Sequence, residues 1–197
     1  MAEETEFTIG AEASCVDGLC GEVSRIIVDP ATDTVTHLVI EPKHRRELAR
    51  LVPVGLVDAA AGDIRLRCTL AEFDKLDAAE ELAPVENVLG GLGVGGMMPP
   101  IGIPATVTTV VYETVPVGET DVGPGERVHA IDGEIGRVLG FLVDPDDHRM
   151  THVLLQEGHL WGRREIVIPA SAVTKVEGGI WPSLTREQVK DLPQANG

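Results

Sequence analysis

Histidines recur at equivalent places in the two halves of the chain, and histidine is a common metal ligand and proton carrier. Four histidines form this pattern, namely His37, His44, His152 and His159. Asp29 and Asp144 could each add an oxygen ligand. However, no HxH, HExxH or CxxC spacing is present, and in an extended strand His148 and His152 would lie about 13 Å apart. The spacing favours strand histidines hydrogen-bonded to a neighbouring turn, with a metal site as the alternative interpretation.

The cysteines are the next group that could do chemistry, as a redox pair or as soft metal ligands. Cys15, Cys20 and Cys68 are odd in number and form no CxxC motif. Ala130 and Ile135 occupy the places of Cys15 and Cys20 in the second half. A site would need its ligands, whereas a core position needs only a small or apolar side chain. We therefore expect three free, structural thiols.

Basic residues cluster in the same loop of both halves, on a chain that is otherwise acidic. The members are Lys43, Arg45, Arg46, Arg50, Arg163 and Arg164. Trp161 stands beside Arg163 and Arg164, and a tryptophan with arginine is typical of the residues that dominate interface energies. We expect Trp161, Arg163 and Arg164 to be the main partner-binding site, with Arg45 and Arg46 in the first half.

Two other interpretations of these loops stay open from the sequence. The arginines could pair with nearby carboxylates such as Glu47 and Glu165 in a solvated loop. Trp161 could also fold back onto its own domain, next to the apolar residues 166–168.

Patterns typical of enzymes are absent from the sequence. There is no GxSxG motif and no Walker loop. The string "GGLGVGG" contains the glycines of a phosphate-binding loop, but "MMPP" follows it where a helix would be required. No spacing of acidic residues singles out an acid and base pair. The sequence predicts a protein that is not an enzyme and has no cofactor.

Composition limits the partners. The 197 residues carry a formal charge of −16 and only 3% aromatic residues. Such a chain repels phosphate backbones and has few side chains on which bases could stack, so we expect no nucleic-acid binding. The acidic amino-terminal segment contains no apolar export signal, which predicts a cytoplasmic location.

The sequence pattern of the elements that would position these residues occurs twice in the chain. "GLCGEVSRIIVDPATDTVTHLVIEP" begins at Gly18, and "GEIGRVLGFLVDPDDHRMTHVLLQE" begins at Gly133, 115 residues later. The pattern predicts strands, joined by Asp-Pro hairpin loops, at residues 22–28, 35–41, 137–143 and 150–156. Two copies are too few for a stacked solenoid, so we expect each copy to close its own core.

Each copy ends in a predicted short helix. Thr69 and Glu72 fit a capping box, and Thr185 and Gln188 fit another. Apolar residues then follow three apart on one helix face.

The order of glycines, the Asp-Pro turn, the Thr-His strand and the later apolar-Pro strand resembles the PRC-barrel family. The resemblance covers roughly residues 8–80 and 123–193. The family includes the cytoplasmic domain of the photosynthetic reaction-centre H subunit and a domain of a ribosome-maturation factor. It implies a mainly β chain with two tandem small β-barrels, each closed by a short C-terminal helix. The motif specifies a fold rather than a chemistry.

A segment rich in glycine, proline and methionine separates the copies. We place the domains at residues 1–82 and 123–197, with the linker at 83–122 containing one extended strand. Residues 87–112 are uncharged, but their glycines and prolines leave no helix that could span a membrane. Met97 and Met98 are typical of adaptable binding surfaces. The linker could pack on its own chain, form a partner or homodimer surface, or be disordered.

Together these features predict a binding or assembly adaptor that docks on a protein or ribonucleoprotein partner. The relatives named by the resemblance dock on larger assemblies, but the sequence predicts neither the membrane helix of one nor the additional amino-terminal domain of the other, so we expect neither specific role to transfer. The alternative function is a small-ligand or metal-dependent sensor that uses the repeated histidines. An RNA-associated maturation role is a third, which the charge of −16 opposes.

Overall fold

The computed structural model describes residues 4–43, 48–60, 63–85, 108–157 and 164–193. Within these residues the chain is mainly β and forms two curled sheets and a two-stranded ribbon. Both predicted Asp-Pro hairpins are present.

The first sheet is built around the hairpin of the first copy. Its strands are β2 (Glu12–Cys15), β3 (Gly18–Asp29), β4 (Thr34–Pro42), β5 (Arg50–Pro53), β6 (Val57–Ala60), β7 (Asp63–Leu66) and β10 (Thr120–Val122). They are arranged in the order β5-β4-β3-β2-β7-β6, with β10 also paired to β3. Valine and isoleucine dominate the buried positions of β3 and β4, as expected for strands covered by a core.

The second sheet repeats this order. Its strands are β1 (Thr5–Thr8), β11 (Arg127–Ala130), β12 (Gly133–Val143), β13 (Met150–Glu157), β14 (Arg164–Pro169), β15 (Val173–Val176) and β16 (Ile180–Pro182). They are arranged in the order β14-β13-β12-β11-β16-β15, with β1 also paired to β12.

The two copies exchange strands. β1 precedes the first copy in the chain but pairs antiparallel with β12 of the second copy, where Thr5 lies opposite Val143. β10 precedes the second copy but pairs with β3 of the first, where Thr120 lies opposite Val28. The two pairings are related by the same 115-residue offset as the sequence repeat, so the exchange is reciprocal.

Glycine turns carry the chain from one sheet to the other. The amide of Ala11 donates to the carbonyl of Thr8 at 3.2 Å, and that of Glu126 donates to Gly123 at 3.3 Å. Gly10 and Gly125 occupy the third position of these turns with φ of 89° and 81°. A positive φ favours glycine, which explains why both turns contain one.

The hairpin tips also join the copies. The amide of Val35 donates to the carbonyl of His148 at 3.0 Å, and the amide of Met150 donates to the carbonyl of Asp33 at 2.8 Å. These two bonds are again equivalent under the repeat. They leave Thr34 opposite Arg149, where the two copies meet.

The apolar core is continuous across both copies. Phe7 on β1 and Val122 on β10 are each only 2% exposed and belong to one cluster with core residues of both sheets. The expectation that each copy closes its own core is therefore wrong. Each copy donates a strand with one large apolar side chain, and that side chain is buried in the shared core.

The two-stranded ribbon is joined to the first sheet at the edge of β5, where Arg50 pairs with Ala78. It consists of β8 (Glu80–Val85) and β9 (Thr108–Glu113). Its base is held because the amide of Ala79 donates to Ala49 and the amide of Thr114 donates to Ala79, both at 2.8 Å. Ala79 is buried there in a small apolar cluster with Ile27, Val39 and Ala49.

The helices are α1 (Leu70–Phe73) and α2 (Arg186–Lys190), and both predicted capping boxes are present. Asp17 accepts a hydrogen bond from the backbone amide of Leu70 at 2.8 Å, and Asp132 accepts one from the backbone amide of Arg186 at 2.7 Å. The repeated Asp-Gly turn therefore also satisfies a free amide at the start of each helix.

Candidate functional site

The repeated histidines face the exchanged strands. His37 Nδ1 lies 3.6 Å from Oε2 of Glu119, which also accepts a 2.6 Å hydrogen bond from the hydroxyl of Thr36. His152 Nδ1 lies 3.3 Å from Oε1 of Glu4. Glu4 and Glu119 are equivalent residues, each immediately before an exchanged strand. Each histidine therefore contacts the strand that the other copy donates.

The aspartates considered as oxygen ligands have local partners instead. Asp29 accepts a 2.8 Å hydrogen bond from the backbone amide of Ala31, and Asp144 accepts one of the same length from the backbone amide of Asp146. The amide of Ala31, with the hydroxyl of Thr32, holds the pKa of Asp29 below its ordinary value. Among the described residues no group of three or more His, Cys, Asp or Glu could hold a metal ion. His44 and His159 lie outside those residues.

The three cysteines are buried and free, and they meet in the first copy. The Cys20 thiol donates to the carbonyl of Ala13 at 3.1 Å, and Cys15 is in hydrogen-bonding contact with Cys20 and Cys68. Burial, and then the contact with Cys20, raises the pKa of the Cys15 thiol. Since the thiolate is the reactive form, these thiols should react slowly.

Most residues predicted to bind a partner lie outside the described residues. These are Trp161, Arg163, Arg45, Arg46, Met97 and Met98. Arg164 is described, and it lies exposed at the start of β14 opposite Glu157. Of the other basic residues, Lys43 pairs with Glu12 at 3.1 Å, and Arg50 donates to the carbonyl of Leu76 at the same distance.

Exposed apolar side chains occur at equivalent turns of both copies. Val16 is 68% exposed and Ile131, its equivalent, is 70% exposed. Leu19 lies beside the first turn. Near the second, Trp181 is stacked on His129 with ring centroids 4.4 Å apart. We refer to Val16 and Leu19, and to Ile131 and Trp181, as the apolar tips. The sequence signal for them was the repeated apolar residue before Asp-Gly.

A cleft lies at the junction of the two copies. It has a volume of about 530 Å³ and is lined by the first hairpin tip, by residues 118–120 and by β15 of the second copy. The equivalent position on the other side holds a smaller cleft of about 260 Å³, next to β1 and β6. Clefts between domains are common places for ligands and partners.

Compared with models of known protein families and with curated proteins, the chain matches none. None of the helices in the described ranges has the length and hydrophobicity needed to cross a membrane.

Proposed function

We propose that the chain is a non-enzymatic binding or assembly adaptor, without a cofactor, that docks on a protein or ribonucleoprotein partner. Its two units are of the PRC type, each a small barrel closed by a short C-terminal helix. The observation that carries the proposal is the pair of apolar tips, which the fold leaves exposed on both copies. Interfaces form around such side chains, aromatic ones above all.

Strand exchange makes the two tips part of one body. β1 and β10 each cross between the copies, so the tips keep a fixed relation to one another. The tips differ in chemistry, because Val16 and Leu19 stand where the second copy has Ile131 and Glu134. An adaptor with two unlike tips contacts its partner at two unlike places.

The loop residues extend this contact surface in our proposal. Trp161, Arg163 and Arg164 serve the second copy, and Arg45 and Arg46 serve the first. Met97 and Met98 add an apolar surface that can also join two copies of the chain. The adaptor acts in the cytoplasm, and the charge of −16 disfavours nucleic acid as the direct partner.

One observation favours a second candidate, a small-ligand or metal-dependent sensor. Glu119 lines the junction cleft and contacts His37. A ligand in the cleft would therefore lie close to one of the repeated histidines. Metal analysis of the purified protein separates the candidates: we expect less than one equivalent of transition metal. Stoichiometric zinc or iron that is lost on mutating His37 or His152 would favour the sensor.

A crosslinked pull-down from native cytoplasm tests the adaptor. We expect Ile131→Ser and the double variant Trp161→Ala with Arg163→Ala to lose proteins that the wild type retains. The melting temperature of Ile131→Ser should hardly change, because its side chain is 70% exposed.

The equivalent first-copy variants are Val16→Ser and, for the loop, Arg45→Ala with Arg46→Ala, and they test the second place of contact. If all variants retain the same proteins as the wild type, the proposal is wrong. A large fall in the melting temperature of the Trp161 variant would show that this tryptophan belongs to the core.

A further inference from the structure

The junction cleft is bounded by strand edges. One wall consists of Val173 to Glu177, and the facing wall includes Gly118 to Thr120. Neighbouring residues of a strand point to opposite faces of its sheet. A run of consecutive lining residues therefore means that the edge of the strand, with its backbone amides and carbonyls, faces the cleft.

The outer edge of β15 is unpaired within the residues that the structure describes. β15 is the last strand of the second sheet, and in the part of the chain that the structure describes it pairs with β16 and with no other strand. On the opposite wall, β10 pairs only with β3 within the same ranges. A strand edge of this kind can add a further strand from another chain.

The equivalent position in the other half is narrower. There β1 packs beside β6, and the cleft has about half the volume. The wide cleft of about 530 Å³ falls in the size range of known ligand sites, roughly 300–1,000 Å³. The four residues of β15 give an edge about 13 Å long, enough to pair with a short extended segment.

The side chains that line the cleft carry a net negative charge, which favours a basic occupant. Asp33, Glu119 and Glu177 line it, and the one lysine, Lys175, lies 3.2 Å from Glu177. The excess of carboxylates attracts a basic chain. A second copy of this protein, whose formal charge is −16, is disfavoured by like-charge repulsion.

We propose that the β15 edge binds an extended, basic segment of a partner protein by strand addition. Main-chain hydrogen bonds to β15 hold the segment, and Asp33 and Glu177 attract its lysine or arginine side chains. The inference rests on the proposed adaptor function and specifies one contact of it, distinct from the apolar tips.

Synthetic peptides test the site on the full chain. The probe is a fluorescein-labelled peptide of about eight residues, alternating lysine with valine. One control peptide has glutamate for lysine, and another has N-methyl groups on alternate backbone amides. We expect the lysine peptide to bind at least about tenfold more tightly than either control. In a ¹H–¹⁵N spectrum it should shift the amides of residues 173–177 and 118–120.

Variants separate this site from general attraction to an acidic protein. Asp33→Asn with Glu177→Gln should weaken binding several-fold, and asparagine suits position 33 because its φ is 55°. Asp58→Asn with Asp63→Asn removes the same charge from the first sheet, outside the lining of the junction cleft, and should leave binding unchanged.

The proposal is overturned if the lysine peptide does not bind, if the N-methylated peptide binds equally well, or if the shifted amides lie elsewhere. It is also overturned if the wild type sediments as a dimer that the peptide dissociates, because the occupant is then a second copy. If the pull-down captures a partner through the apolar tips but the lysine peptide does not bind, the strand-addition site is wrong and the adaptor proposal stands. If the lysine peptide binds but the pull-down captures no partner, the adaptor proposal is wrong and the peptide site at the β15 edge stands.

Discussion

The pairing of β1 with β12 requires a small residue at Gly140. A Cβ atom there would overlap the main-chain oxygen of Phe7, and it would also lie too close to Thr8. β1 can therefore run through Thr8 only because Gly140 has no side chain. On the other side Arg25 occupies the equivalent position, and β10 ends at Val122, before it reaches that residue.

Gly140→Ala should destabilise the chain by about 1–3 kcal/mol, because the new methyl group pushes β1 away from β12. The matched control is Gly123→Ala, where the nearest atom to the added Cβ is Cγ of Arg25 at 3.6 Å. That change should stay within about 0.5 kcal/mol. Urea unfolding measures both, and equal effects would contradict the argument.

The buried thiols give a second prediction at this scale. The native protein should show no thiol that reacts rapidly with Ellman's reagent at about pH 8, because Cys15, Cys20 and Cys68 are buried and the pKa of Cys15 is raised. In denaturant all three should react. A fast-reacting thiol in the native protein would show that the first copy opens locally near these residues.

The two helices are capped alike but by different chemistry. In α1 the carboxylate of Glu72 accepts from the amide of Thr69 at 2.8 Å, and in α2 the amide oxygen of Gln188 accepts from Thr185 at 2.9 Å. The amide of Thr69, followed by its hydroxyl, lowers the pKa of Glu72 below its ordinary 4.5. Only the first cap can therefore be titrated.

Because the pKa of Glu72 is lowered on folding, its contribution is complete well above pH 4.5 and is lost as the pH falls through the lowered value. Between about pH 6 and pH 3, the amide resonance of Thr69 should move with the protonation of Glu72, while that of Thr185 should not. Glu72→Gln should abolish the movement. If the Thr69 resonance moves equally in that variant, another group is responsible.

Individual elements could be predicted from the sequence because their causes are local. Asp-Pro loops, capping boxes and alternating apolar residues each act over a few positions. The exchange could not be predicted in this way, since "ETEF" and "ETDV" would pair equally well in pattern with the sheet of either copy. One difference between the sheets is the residue opposite Thr8, which is Gly140 in β12, whereas β3 has Arg25 at the equivalent place. Gly140 lies more than a hundred residues from Thr8 along the chain.

The candidate site was predicted less completely. The histidines were expected to bond to a nearby turn, but their carboxylate partners come from the other copy, which no local pattern indicates. The junction cleft likewise exists only when both copies are assembled. For the predicted loop site, Arg164 is the one member within the described residues, and the binding role of the set stays a prediction.

The whole molecule should behave as one body even when its chain is cut. Cleavage at a protease site introduced within residues 93–96 should leave the two fragments bound to each other, because each fragment holds a strand of the other's sheet. Burying Phe7 alone contributes about 1.5–3 kcal/mol. Size-exclusion chromatography should give a single peak without denaturant.

The control for this experiment is the same cut in a Phe7→Asp variant, which removes the buried anchor of β1 and should release the fragments more readily. Two separate peaks from the cut wild type would mean that the exchanged strands do not hold the copies together.

The exchange also sets the order of events as the ribosome makes the chain. β1 is synthesised first, yet its place beside β12 does not exist until residue 143 has emerged. The first sheet is likewise incomplete until residues 120–122, which form β10, have been synthesised. Neither half can finish folding while the other is unmade, so Phe7 stays without its native surroundings until β12 has been synthesised. Such distant pairings fold slowly, and the apolar surface that they will bury stays exposed meanwhile.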